Sequence, residues 1–459
     1  MTIKELFAPS DMTTGTPWKK IVLFTVPMLL GNIAQQLYST VDSIIVGRYV
    51  GDNALAAVGS AAPIYNLLLV LFMGVSAGAS VMVAQYFGAK DREGLSKSIG
   101  NAITLTALAS LIIMVVGAVT IRPLLKMLGT PASIIDWCYS YLMVLVMGIA
   151  GTSYYFIFTG ILRGMGDSVS ALVYLLVATA MNIVLDIWFV AGLGLGVFGV
   201  ALATIIAQIT SAILSFIKLM RMRQVFDLKL KYLKPEKQFA GLTLKLGLPS
   251  GLTQMIFSAA MIVVQSLTNS FGETVIAANV IIMRVDGFVM LPNFSFGMAL
   301  TTYAGQNVGA RQLDRVTEGA KQGTLLALAT SFVITGLVLL FGHNIMGLFT
   351  TTEALIDMAR RMMLILAFGY VVMAITQCLS GVMRGAGDTM TPMWISLITT
   401  VVVRVPIAYG IAYLTRSPEA PNGSYYCLFI SLLVSWIIGG VITWIAYQRG
   451  GWKKKAVIS

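Results

Sequence analysis

Three carboxylates stand where their neighbours are almost wholly apolar: Asp42, Asp186 and Asp286. Gln35, Tyr38 and Asp42 follow at steps of three and four, so on a helix they share one face. Asn182 precedes Asp186 by four and again shares its face. Asn279, Met283, Asp286, Met290 and Asn293 recur at steps of three and four, giving one polar and polarisable face. Two carboxyls with an amide and hydroxyls in a low-dielectric cavity suit two kinds of chemistry. They can take up and release a proton, or they can hold Na+, which prefers carboxylate, carbonyl and hydroxyl oxygen. For Asp42 the plainer alternative is a helix end that meets interfacial water. For Asp286 it is a structural ion pair with Arg284, set against a cavity wall.

The elements that must carry these residues follow from composition. The 459 residues are 57% hydrophobic and 11% charged, with a mean hydropathy of +0.85. Soluble domains carry about 25% charged residues, so lipid is the expected solvent. Apolar stretches here run for about twenty residues without the alternation of barrel strands, which leaves helices as the spanning structure. Twelve are expected, near 18–46, 54–85, 95–120, 134–162, 170–192, 196–220, 241–270, 275–306, 316–342, 354–383, 391–414 and 424–448. The first reads as a retained helix rather than a cleaved signal. In this frame the three carboxylates lie inside spans, where an ionisable side chain is costly and a functional hypothesis by default.

The net charge of +12 follows topology and does not read as a nucleic-acid footprint. Of 31 Lys and Arg, 22 fall on the side that holds both termini and about six on the other. The positive-inside rule then puts both termini in the cytoplasm. Cys138, Cys378 and Cys427 are odd in number and scattered, which gives no disulfide framework or metal spacing. His343 is the only histidine, and no phosphate-binding glycine loop is present, so an enzyme is not expected. No cofactor is expected beyond a coupling ion, and energy must come from an ion gradient or from the substrate's own gradient.

The chain is one half written twice. Gly51-Asp-Asn-Ala-Leu-Ala-Ala matches Gly272-Glu-Thr-Val-Ile-Ala-Ala, Gln85-Tyr-Phe-Gly-Ala-Lys matches Gln306-Asn-Val-Gly-Ala-Arg, and Arg163-Gly-Met-Gly-Asp matches Arg384-Gly-Ala-Gly-Asp, all at an offset of 221. Pro27 and Pro249 agree to within one residue of it. The expected organisation is a segment 1–17, a six-helix lobe 18–220, a basic linker 221–240, a second lobe 241–448 and a basic tail 449–459. Six helices is an even number, so both lobes start from the same face. The fold class is therefore an all-α membrane protein of two parallel six-helix repeats, a transporter architecture. A channel, a lipid-linked-precursor flippase and a membrane scaffold or sensor are the competing readings.

The run from Pro27 through Val41-Asp42 to Val46-Gly47 and Gly51, with Gln85-Tyr-Phe-Gly-Ala-Lys and the twin Arg-Gly-x-Gly-Asp motifs at Arg163 and Arg384, resembles the multidrug and toxic compound extrusion (MATE) family. The resemblance covers essentially the whole chain. It implies two lobes that open alternately to either side, as a monomer in the bacterial inner membrane. It also implies export of organic, often cationic, small molecules in exchange for H+ or Na+. Asp42 resembles the family's helix-1 aspartate and Pro27 the proline at which that helix bends. Asn182 and Asp186 are similar to the pair on helix 5, and Thr204 falls where a hydroxyl completes the ion site. Helix 7 offers Gln254 and Gln265 but no acid, and helix 10 offers Gln377, where the NorM branch carries acids. The resemblance is thus closer to DinF-like members, with coupling in the first lobe and a substrate cavity drawn from Gln35, Tyr38, Gln254, Met283, Asp286, Met290 and Asn293.

Overall fold

A computed structural model describes residues 7–418 and 420–458. Among them, eleven helices are long and apolar enough to cross a membrane, and a bent pair makes a twelfth crossing. In chain order α1 is Pro17–Tyr49, α2 Asp52–Gly88 and α3 Arg92–Met127. Span α4 is broken into Ile135–Met147 and Ile149–Gly164, bent by 50°. Next come α5 (Ser168–Asp186, continued by a wider turn Ile187–Gly192), α6 (Gly196–Arg221) and α7 (Lys237–Ser270). Span α8 runs Glu273–Val289 and Leu291–Gly309, α9 Leu313–Gly347 and α10 Glu353–Gly385. Span α11 comprises Met390–Leu397, a wider turn Ile398–Arg404 and Val405–Leu414, and α12 is Cys427–Gln448. Large apolar side chains stand outward along the spans, as Val119 (73% exposed) and Leu340 (79%) do. Lipid is as apolar as they are, so this exposure carries no penalty there.

The duplicated motifs are the turns of the fold. In Arg163-Gly-Met-Gly-Asp, Gly166 takes φ +83° and Asp167 caps α5, accepting from the Ser170 amide at 2.9 Å and its hydroxyl at 2.7 Å. In the twin, Gly387 takes φ +98° and Asp388 accepts from the Thr391 amide at 3.3 Å and hydroxyl at 2.8 Å. The left-handed turn requires glycine, and the carboxylate satisfies amides that the first helical turn leaves unpaired. Lys90 and Arg311, which end the second pair of motifs, both lie at positive φ, 57° and 60°.

Helix packing repeats as well. Gly160 and Gly164 let α4 lie directly on Ser76 and Ser80 of α2, and Gly381 and Gly385 let α10 lie on Gly297 and Thr301 of α8. Small residues four apart allow such close approach in a membrane, where lipid gives helices no hydrophobic reason to associate.

The chain forms two compact units, Met1–Asp11 with Val26–Gly251 and Met12–Thr25 with Leu252–Val457. The basic linker and the start of α7 therefore pack with the first unit. Gly74 of α2 meets Gly247 of α7 so closely that a Cβ on Gly74 would stand 2.8 Å from the Gly247 carbonyl oxygen. Each unit holds apolar core, around Leu142, Leu145 and Ile205 and again around Phe72 and Ile149 in the first and around Met362, Leu366 and Tyr370 in the second. The three cysteines are free and buried.

Candidate functional site

In the first unit the polar faces of α1, α5 and α6 come together. Asp186 is fully buried and Asn182 is 1% exposed. Asp42 and Asp186 stand near enough for their carboxyls to interact electrostatically, with Asn182 one turn before Asp186 on α5. Tyr38 donates to Thr204 Oγ1 at 3.4 Å and stands within electrostatic reach of both carboxyls. Half-buried Tyr65 and buried Tyr141 complete the surround. The sequence-predicted residues Gln35, Tyr38, Asp42, Asn182, Asp186 and Thr204 are thus gathered in one region of one unit.

What distinguishes this cluster is unmet bonding capacity. Asp42 Oδ1, both carboxyl oxygens of Asp186 and both amide atoms of Asn182 are buried without a hydrogen-bond partner. Buried polar groups in folded proteins are nearly always paired, so each orphan requires a reason. Four of these five atoms are acceptor oxygens converging from two helices, a donor set of the kind that a proton or a hard cation can complete. Directly after Asp186 the backbone ladder of α5 widens over Ile187–Gly192, a local irregularity often found at functional sites.

Beside the cluster Gln35, Tyr38, Leu175, Ala178, Thr179, Ala207 and Gln208 line a crevice too narrow to hold a water molecule. Pockets for drug-sized ligands measure roughly 300–1,000 Å³, so such a ligand requires the crevice to widen. Gln208, whose buried Oε1 also lacks a partner, escaped the sequence reading. It follows Thr204 by four on α6, and that spacing was the available signal. Tyr65 and Tyr141 carried no sequence signal, since a tyrosine in an apolar run is ordinary packing.

The second unit treats its buried charge differently. Asp286 accepts a short hydrogen bond from the Tyr370 hydroxyl and faces the Arg404 guanidinium. Asn293 donates to the Tyr370 carbonyl at 3.0 Å, as Ser331 does. Met290 and Asn293, 8% and 1% exposed, are packed into this network. Gln254 and Met283 are exposed on α7 and α8, outside it. The Arg284–Asp286 pair does not form. Residues two apart point to opposite sides of a helix, and Arg284 is exposed while Asp286 turns inward to Tyr370. Tyr370 was missed by sequence reasoning. Arg404 closes the wider turn Ile398–Arg404 of α11, which by the 221-residue offset falls before the position equivalent to Asp186 and not after it.

Comparison with known proteins agrees with this architecture. The chain matches the MatE family over residues 27–188 and again over 249–410, once in each half. It is 31% identical to the probable multidrug resistance protein YoeA of Bacillus subtilis, over 99% of this chain and 98% of that protein. It is 27% identical to the probable multidrug resistance protein YpnP of the same species, over 96% and 97%. A crystal structure of MATE in the bent conformation superposes with a TM-score of 0.88 at 25% identity, over 98% of each chain. The duplicated match, the full-length relatives and the shared twelve-span fold place this chain in the MatE family, whose members are membrane transporters and not enzymes.

Proposed function

We propose that this protein is a secondary multidrug exporter that expels organic, often cationic, small molecules in exchange for H+ or Na+ by alternating access. The observation that carries the proposal is the set of buried acceptor oxygens without partners on Asp42, Asn182 and Asp186. A coupling cation held by these oxygens, with Thr204 at the edge, neutralises charge in a low-dielectric site. When it leaves, the two carboxylates favour an organic cation instead. The cation shifts the conformational equilibrium only by its differential affinity for the two states. Pro27 lacks the amide that would complete the ladder of α1 and sits one turn and more before this face, where bending would change the cluster. The transport unit acts as a monomer in the bacterial inner membrane, with both termini in the cytoplasm as the basic excess on their side supports.

Support comes from relatives. YoeA and YpnP are both named as probable multidrug resistance proteins. MATE has been crystallised in bent and in straight conformations, and a multidrug resistance MATE family transporter in an outward-facing one. The decisive experiment is efflux of a fluorescent cation from proteoliposomes with Na+ and proton gradients imposed separately. Wild type should respond to one gradient, and Asp42→Asn and Asp186→Asn should lose that response. Undiminished gradient-driven efflux in the double variant would overturn the ion assignment.

A further inference from the structure

The segment that joins the two halves is pinned in place. Arg92, at the start of α3, donates to the Asp227 carboxylate at 3.1 and 3.2 Å and to the carbonyls of Gln224 and Arg223 at 3.0 and 2.6 Å. The Asp227 amide donates to Ser96 Oγ at 2.9 Å, the Glu236 amide to Asn101 Oδ1 at 2.7 Å, and Thr104 to the Leu233 carbonyl at 2.6 Å. Phe226 and Tyr232 are buried beneath it. These contacts occupy both acids of the segment, Asp227 with Arg92 and Glu236 with Lys97 at 3.5 Å. What remains facing outward is basic and apolar. Lys229, Lys231 and Lys234 are exposed, and between them the single helical turn Leu230–Leu233 holds Leu230 at 87% exposure.

Because α6 ends at Arg221 and α7 begins at Lys237, both spans, the segment stands where the spans leave the hydrocarbon. A leucine held rigidly outward among ammonium groups matches water poorly and the surface of an anionic leaflet well. The ammoniums meet phosphate, and the apolar tip enters the boundary between headgroups and acyl chains. We infer that residues 229–234 form a dock for anionic phospholipid headgroups, with Leu230 as the inserted tip. The fastening to α3 makes the dock effective, since no chain entropy is lost when lipid binds.

The test uses the full chain with Leu230→Cys carrying an environment-sensitive fluorophore. The native cysteines are buried, so label goes to the new site. Nanodiscs of phosphatidylcholine alone are compared with nanodiscs containing phosphatidylglycerol. Emission should shift to the blue with phosphatidylglycerol, and Lys229→Gln/Lys231→Gln/Lys234→Gln should abolish the difference. By native mass spectrometry each lysine removed should weaken phosphatidylglycerol retention roughly fivefold. All four positions are exposed, so an unchanged unfolding midpoint in detergent should accompany these losses. Water-like emission in both nanodiscs would overturn the dock, as would a phosphatidylglycerol preference that survives the triple substitution.

Discussion

The two units share a fold, a set of turns and a helix-packing scheme, yet their buried charges are handled in opposite ways. In the first, two carboxyls and an amide are brought together, and Asp42 Oδ1, both Asp186 oxygens and both Asn182 amide atoms find no hydrogen-bond partner. In the second, one carboxyl is given a tyrosine hydroxyl and an arginine across from it. Orphaned acceptors cost stability, and their persistence points to a cargo that completes them in part of the cycle. A carboxyl held by a donor and a countercharge is a structural element. The halves repeat one frame and differ at a few inward positions, which on our proposal give one half the chemistry.

This contrast breaks most directly at Asp186. Neutralising Asp42 and Asp186 together should reduce gradient-driven efflux on the order of 100-fold, the upper range of coupling energies, while the unfolding midpoint stays or rises. Asp286→Ala should do the reverse, costing about 1–3 kcal/mol because Tyr370 loses its acceptor and Arg404 its countercharge. Its efflux per folded molecule should be retained. If Asp286→Ala abolishes transport in a stably folded protein, the second unit is not merely structural.

Finer comparisons use the tyrosines. Tyr370→Phe should lower stability by about 1 kcal/mol, read from chemical unfolding in detergent. Tyr38→Phe should cost less than about 0.5 kcal/mol, since its bond to Thr204 is long at 3.4 Å, but it should alter the dependence of efflux on the driving ion. Equal stability losses at the two sites would remove the distinction between a satisfied and an unsatisfied carboxyl.

The smallest effect is expected at the exposed Arg92–Asp227 pair. The guanidinium hydrogen bond holds the Asp227 carboxyl below the usual carboxylate range. A lowered folded-state value means that its contribution is present above the unfolded value of about 4 and is lost as pH falls through the folded one. Proteolysis of the linker should therefore be slow at neutral pH and faster only in acid below that range. An Asp227→Asn variant should show no such acid step.

Much of the fold was legible in residue order. Charge-free runs place the spans because lipid cannot satisfy an exposed backbone, and motifs such as Arg163-Gly-Met-Gly-Asp and its twin reveal the repeat because each turn demands the same glycine and cap. The break in α4 at Gly148 was not legible, since no proline marks it. Spacing also placed Gln35, Tyr38 and Asp42 on one face, and Asn182 and Asp186 on another, because helical periodicity is a local property.

Sequence alone thus determined the helices, the duplication and which faces are polar. Only the tertiary structure decided which polar faces meet, for the partner of a buried group is chosen by packing between residues far apart in the chain. Asp186 meets Asp42 across 144 positions and Asp286 meets Tyr370 across 84. Nothing in the local pattern around either aspartate told that one would be left with open acceptors and the other satisfied.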